Sequence, residues 1–291
     1  MLADLLQNTF DGLAAGASYA LVALGFTLIF GVLRRANLSY GPAIMLGCYA
    51  AAAVSAQRPG LGLAVLALIA IVVSVLAGAY VERLCFAPHR RGSGIAAMAA
   101  SFALWMQLEE LAVLLLPRHV VAFPALYGDD PIAFAGLAIR VESLVALGTA
   151  GAVCALLAWV LYRTRFGISV RAVIASPLAA EIAGIRTGRI FFLVFALASA
   201  IGGLAGFLVA ATDAQLTPMM GMWFTLKGLV AMMLGGLGSL PGAVLGALAL
   251  GLVEAHSQWF LGPQLRDFVV YLLLFCLLAA APKWMRTHSA S

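Results

Sequence analysis

Charge is what this sequence has least of. Only 10% of its 291 residues are Asp, Glu, Lys or Arg, while 64% are hydrophobic and the mean hydropathy is +1.06. A soluble domain carries about 25% charged residues to keep its surface wetted, so a water-soluble globule is excluded. Lysine is nearly missing, with Lys227 and Lys283 against fifteen arginines. The net charge of +5 is thus arginine charge. No basic stripe interleaved with stacking aromatics accompanies it, which excludes a nucleic-acid surface.

Reactive constellations are lacking too. Four cysteines, Cys48, Cys85, Cys154 and Cys276, lie in or beside apolar runs with no C-x-x-C spacing, and read as small hydrophobes rather than ligands or disulfides. No G-x-x-x-x-G-K-[ST], H-E-x-x-H or G-x-S-x-G stretch occurs, and His89, His119, His256 and His288 are far apart. No catalytic residue, metal site, cofactor or enzyme activity is expected of this chain. The opening MLADLLQNTFDG has no basic stretch and carries Asp4 and Asp11, so a cleaved leader is not expected.

What the sequence has is apolar length. Nine segments, at about 10–33, 41–56, 61–81, 94–116, 141–162, 190–211, 224–236, 241–260 and 267–282, predict an all-α polytopic bundle of eight to nine transmembrane segments in one transmembrane domain, 1–291. The seventh is short at 1.5 Å rise per residue. It runs into GGLGSLPGA, where Gly235, Gly236, Gly238 and Pro241 break the helix. Residues 224–260 therefore read either as a hairpin that dips in and returns or as two crossings. Residues 163–189 hold five arginines against Glu181; Arg83, Arg90 and Arg91 sit against Glu82 in 82–92; and Arg34 and Arg35 end the first segment. The 117–142 connection is acidic on balance, with Asp129, Asp130 and Glu142 against Arg118 and Arg140. Basic loops stay in the cytoplasm, so the arginine loops and the C-terminus, with Lys283 and Arg286, are expected inside, and the N-terminus and 117–142 outside.

Pairs of glycines four apart, Gly12/Gly16, Gly202/Gly206 and Gly242/Gly246, mark close helix packing or faces that slide during transport. Within the spans, Tyr19, Thr27 and Asn37 can bond a passing solute or a neighbouring helix. Gln107 and Glu110 share a helix face, with Glu109 turned away; they line a polar path or stand hydrated near the outer end. Glu254, Asp213 and Asp267 read as interfacial. Lys227 is expected to snorkel to the outer surface, with pairing to a carboxylate in the path as the other reading. In RTRFGISVRAVIASPLAAEIAGIRTGR, Ser176 and Pro177 open a short amphipathic helix and Gly184 closes it. That helix lies on anionic lipid or is gripped by a cytoplasmic partner.

Four separated motifs carry a resemblance running from about residue 8 to 283: NTFDGLAAGASYALVALGFTLIFGVLRRANLSYG; ERLCFAPHRR at 82–91; R-A-x(6)-A-A-x-x-x-G-I at 171–185; and KGLVAMMLGGLGSLPGAVLGALALGLVEA at 227–255. The chain resembles the LivH-type permease subunits of ABC importers for branched-chain amino acids. The resemblance implies a multi-pass protein of the bacterial inner membrane that works with two ABC ATPase subunits, a second, related permease subunit and an extracytoplasmic solute-binding protein. It also implies that 171–185 is a coupling helix docking on the ATPase, with Arg171, Ala179, Ala180, Gly184 and Ile185 in the matching places. Candidates for the translocation path are Tyr19, Asn37, Gln107 and Glu110. The sequence departs from the family at Asn37-Leu38-Ser39-Tyr40-Gly41 and at Gln107-Leu108-Glu109-Glu110, which leaves amides, urea, short peptides and aromatic acids open as cargo beside leucine, isoleucine and valine. The alternative function is a proton-coupled secondary transporter using Glu109 and Glu110.

Overall fold

Every apolar segment read from the sequence is a helix. The computed structural model describes residues 2–58, 60–90, 94–116, 120–125, 132–134 and 137–287; Arg91, Arg118, Asp129 and Asp130, named above for sidedness, lie outside the described residues, as do the side chains of Lys283 and Arg286. In chain order the helices are α1 (Leu2–Leu33), α2 (Tyr40–Gln57), α3 (Leu63–Val81), α4 (Gly94–Leu115), α5 (Val141–Arg163), α6 (Arg165–Ala175), α7 (Pro177–Ile182), α8 (Thr187–Asp213), α9 (Met220–Gly235), α10 (Leu240–Leu261) and α11 (Pro263–Thr287). A π-helical turn, Glu82–Phe86, continues α3. Among the described residues six helices, α1, α3 with its π-turn, α4, α5, α8 and α10, are long and apolar enough to cross a membrane.

α1 is the hub. Its 32 residues reach about 48 Å, and it packs on α5, α8, α9 and α10. Small residues allow that crowding. A methyl group on Gly12 would stand 2.9 Å from the Ala255 Cβ, and one on Gly16 would stand 2.8 Å from the Leu248 Cα. Gly202 and Gly206 meet Ile44 and Cys48 of α2 in the same way, and Gly242 and Gly246 meet Gly235 and Ala231 of α9. All three glycine pairs are therefore packing faces. On the outside, large apolar side chains such as Leu76, Leu114 and Leu156 are exposed, as suits a surface solvated by lipid tails.

The connections sort into two ends. At one, strand β1 (Val121–Ala122) pairs antiparallel with β4 (Gln215–Leu216), and β2 (Ile132–Phe134) with β3 (Leu137–Ile139). Gln7 of α1 grips this end, donating to the Ala138 carbonyl at 3.0 Å and accepting from its N–H at 2.9 Å. At the other end the arginine loops meet. Arg35 Nη1 donates to the His89 carbonyl at 2.6 Å, and Arg90 donates to the Gly188 carbonyl at 3.4 Å.

The α9–α10 hairpin links the two ends. Its outer strand neighbour is β4, whereas its tip abuts α1 at Gly31, which lies 4.0 Å from where a Cβ on Gly238 would be. α10 reaches the length of a span, whereas the 16 residues of α9 fall short of it. Gly236 and Gly238 turn the tip with φ of 92° and 83°, values that glycine adopts at little cost. Pro241 then sits in the first turn of α10, where its missing N–H costs nothing, and Ser239 Oγ accepts from the Gly242 N–H at 3.2 Å.

Residues 163–189 hold one helix more than the periodicity foretold. α6 starts under a Thr164 cap, whose Oγ1 accepts from the Gly167 N–H at 3.2 Å, and stops at Ser176 because Pro177 has no N–H to continue it. Of the four cysteines, all free, Cys48 and Cys85 are buried, Cys154 is half-buried and Cys276 is exposed.

Candidate functional site

Two places concentrate polar structure in an otherwise oily molecule. The first is a cavity of about 880 Å³ at the strand-bearing end, walled by the starts of α1, α5, α9 and α11 and the ends of α8 and α10. Lys227 and Glu254 lie deep in it, 8% and 1% exposed. Lys227 Nζ donates to Glu254 Oε1 at 2.7 Å and to Tyr19 Oη at 2.8 Å. Arg266 donates through Nε to the same Glu254 oxygen, and through Nη2 to Tyr19 Oη at 3.3 Å. The ammonium also lies over two rings, 4.5 Å from the centroid of Tyr19 and 5.3 Å from that of Trp223.

This corrects two expectations. Lys227 does not snorkel and Glu254 is not interfacial. The glycine contacts between α9 and α10 bring the two arms close enough for each charge to solvate the other, and a buried charge persists only when so paired. The signal was present in the sequence as a lone lysine and a lone glutamate on adjacent apolar segments. Tyr19 joins this cluster. Asp213 and Asp267 line the cavity wall.

The remaining path candidates lie elsewhere. Asn37 is buried at the start of α2, where its Oδ1 accepts from the Ser39 N–H at 3.1 Å. Ser39 donates to the Ser101 carbonyl of α4, and Thr225 Oγ1 of α9 accepts from the Gly41 N–H at 3.2 Å. Gln107 accepts from the Tyr80 hydroxyl at 3.1 Å on an exposed face of α4, and Glu110 is exposed beside it. Glu109 accepts from Trp105 Nε1 at 2.9 Å. Neither Asn37 nor these three α4 residues line the cavity.

The second place is the arginine-rich end. α7 begins with Ser176 Oγ accepting from the Ala179 N–H at 3.2 Å, with Pro177 at its first position. It closes at Gly184, whose φ of 83° lets the Ile185 N–H reach back to the Ala180 carbonyl at 2.9 Å. Ala180 is turned inward, 3% exposed, while Ala179 faces out with Leu178 (69%) and Ile182 (82%). Leu178 and Ile182 are four apart and form one apolar knob. Thr187 Oγ1 donates to Glu181 Oε1 at 2.7 Å and fastens the exit from α7. Arg171 belongs to α6, donating to the Leu161 carbonyl with its guanidinium 5.5 Å from the Tyr162 ring.

The turn after α3 reaches the start of α8 through Arg90. Glu82, 2% exposed, is paired with Arg90, whose guanidinium lies 5.1 Å from the Phe191 ring centroid of α8. Arg90 thus connects the π-turn to the first turn of α8.

A family model described as branched-chain amino acid transport system, permease component, matches residues 8–278. The high-affinity branched-chain amino acid transport system permease protein LivH of Salmonella typhimurium is 28% identical over 289 residues, covering 95% of this chain and 94% of that protein. The permease protein BraD of Pseudomonas aeruginosa, from a transport system of the same description, is 28% identical over 290 residues, with 95% and 94% covered. Among solved structures, PsaBC from Streptococcus pneumoniae in complex with Fab superposes with a TM-score of 0.55 at 14% identity, covering 96% of this chain and 95% of that one. At that identity the likeness is one of fold.

Proposed function

The chain belongs to the family of permease components of branched-chain amino acid transport systems, and from that premise we propose how it works. It is a multi-pass permease subunit of an ABC importer in the inner membrane, with branched-chain amino acids as its cargo. The arginine-rich end faces the cytoplasm, as basic loops do, and the cavity opens on the opposite side. ATP is hydrolysed by partner ATPase subunits that grip α7. A second permease completes the path, and an extracytoplasmic binding protein delivers the solute to the cavity mouth. The path itself starts in that cavity, at Tyr19.

The observation that carries this reading is the family match over residues 8–278. The α7 knob supports it: Leu178 and Ile182 project from a helix capped at both ends and fastened through Thr187 and Glu181. The proton-coupled alternative is not favoured, because Glu109 and Glu110 lie on α4 outside the cavity lining. The test is leucine uptake into proteoliposomes. Uptake is expected only when the partner permease, ATPases, ATP and binding protein are all present. Uptake by the chain alone under a pH gradient would overturn the reading.

A further inference from the structure

The cavity floor holds two cations for one carboxylate. Lys227 and Arg266 both lean on the same oxygen of Glu254, while its Oε2 has no hydrogen-bond partner although the residue is 1% exposed. Among the described residues no other carboxylate forms an ion pair with either cation. By direct contact the two cations thus share a single carboxylate, and Asp213 and Asp267 on the wall act on them only through space.

The donors are not exhausted either. An ammonium has three N–H groups and a guanidinium five. Lys227 uses Nζ on Tyr19 and Glu254; Arg266 uses Nε and Nη2, leaving Nη1 unengaged. The Arg266 side chain is 35% exposed and so presents its fork to the cavity. That fork matches a carboxylate in shape as well as charge.

The wall is acidic on balance, with Asp11, Glu142, Asp213 and Asp267 against Arg140. Asp213 and Asp267 line the cavity and form no ion pair among the described residues. Trp223 adds an apolar and π-rich surface beside Lys227. A solute that is anionic at one end, cationic at the other and apolar along its side satisfies all three. The volume of about 880 Å³ falls within the usual range for small-molecule pockets.

We infer that Lys227 and Arg266 are a docking site for the carboxylate of a zwitterionic amino acid in transit, with Glu254 the resident carboxylate that holds both cations when the site is empty of solute. The solute's carboxylate enters as a second acceptor and displaces Glu254 from part of its bonding. Because Glu254 competes, binding is weak, as a conduit requires if the solute is to leave again. This rests on the permease reading above and adds to it the contact residues.

The test uses the full chain in lipid nanodiscs, with tryptophan emission as the signal, since Trp223 and Trp259 both line the cavity. L-Leucine is titrated against 3-methylbutylamine, which is leucine without its carboxylate. Saturable quenching by leucine and none by the amine at equal concentration is expected. Arg266→Gln is expected to weaken the leucine response by about tenfold, the worth of one charge-assisted contact. Equal responses to leucine and the amine would overturn the site even if the variant fails to fold, since that comparison uses only the unaltered chain. Unchanged leucine affinity in a folded Arg266→Gln protein would overturn it as well. ATP-driven leucine uptake by the assembled importer, measured in parallel, separates the two readings. Normal uptake without carboxylate-dependent binding removes the site and leaves the permease. Carboxylate-dependent binding without uptake keeps the site and removes the cargo assignment.

Discussion

Lys227 and Glu254 are 27 residues apart in sequence and 2.7 Å apart in space, on facing arms of one helical hairpin. The pair is held in register by glycines, because the α9 and α10 backbones touch at Gly235, Gly242 and Gly246. The hairpin's packing and its charge arrangement are thus one feature. A side chain at any of these glycines would separate the arms and strand both charges.

Removing one partner should therefore cost more than removing both. Glu254→Met leaves Lys227 and Arg266 without the carboxylate that both contact, and is expected to destabilise the chain by about 3–5 kcal/mol. Combining it with Lys227→Met removes the more deeply buried orphaned charge and should recover much of that loss. Thermal unfolding of the purified chain in detergent measures both. Equal damage from the single and double variants would show that the pair contributes packing rather than mutual solvation.

Gly184 and Ala180 are expected to be essential to coupling rather than to folding. At a φ of 83° a β-branched side chain is strained, so Gly184→Val should misdirect the end of α7. Ala180 is 3% exposed against the bundle, and Ala180→Phe should push α7 away from it. Both variants are expected to reach the membrane and assemble, yet to lose uptake and solute-stimulated ATPase activity. Normal uptake by either would count decisively against the coupling role of α7.

The outward face of α7 gives a cleaner separation. Leu178 and Ile182 are largely exposed and contribute little to the fold. Leu178→Asp with Ile182→Asp should leave the melting profile of the isolated chain unchanged and abolish copurification of the ATPase. Copurification at wild-type yield would mean that the ATPase docks elsewhere.

Much of this architecture is legible in the sequence. The nine apolar segments, the Ser176–Pro177 start and Gly184 end of α7, and the glycine packing faces all follow from local rules of span length, capping and side-chain size. The arginine loops likewise group by charge, and Arg35 with His89 and Arg90 with Gly188 join them at one end. What stayed hidden depends on which helices become neighbours. Lys227 looked like a snorkelling residue because only the α9–α10 contact brings Glu254 to it. α6 was missed because the stop at Pro177 is obvious, whereas the Thr164 cap that starts a helix at Arg165 is a weak signal inside a polar stretch. Gln107 and Glu110 share with Tyr19 a place within an apolar span, and hydropathy alone does not say that only Tyr19 lines the cavity.

The π-turn supplies the last test. Glu82 is almost fully buried, and its charge is answered by Arg90 eight residues later. Arg90 also covers Phe191 and holds the Gly188 carbonyl in the first turn of α8. It therefore acts on two levels: it solvates a buried carboxylate, and it fastens the α3 turn to the first turn of α8. Arg90→Ala removes both functions, whereas Glu82→Gln removes only the charge that Arg90 answers and leaves the Phe191 and Gly188 contacts in place. Arg90→Ala is accordingly expected to lower both the melting temperature and uptake, and Glu82→Gln to lower the melting temperature less and retain most uptake. A double-mutant cycle on the two should give a coupling of about 0.5–3 kcal/mol. If Arg90→Ala melts lower but still transports at the wild-type rate, the turn stabilises the bundle without transmitting motion from α7.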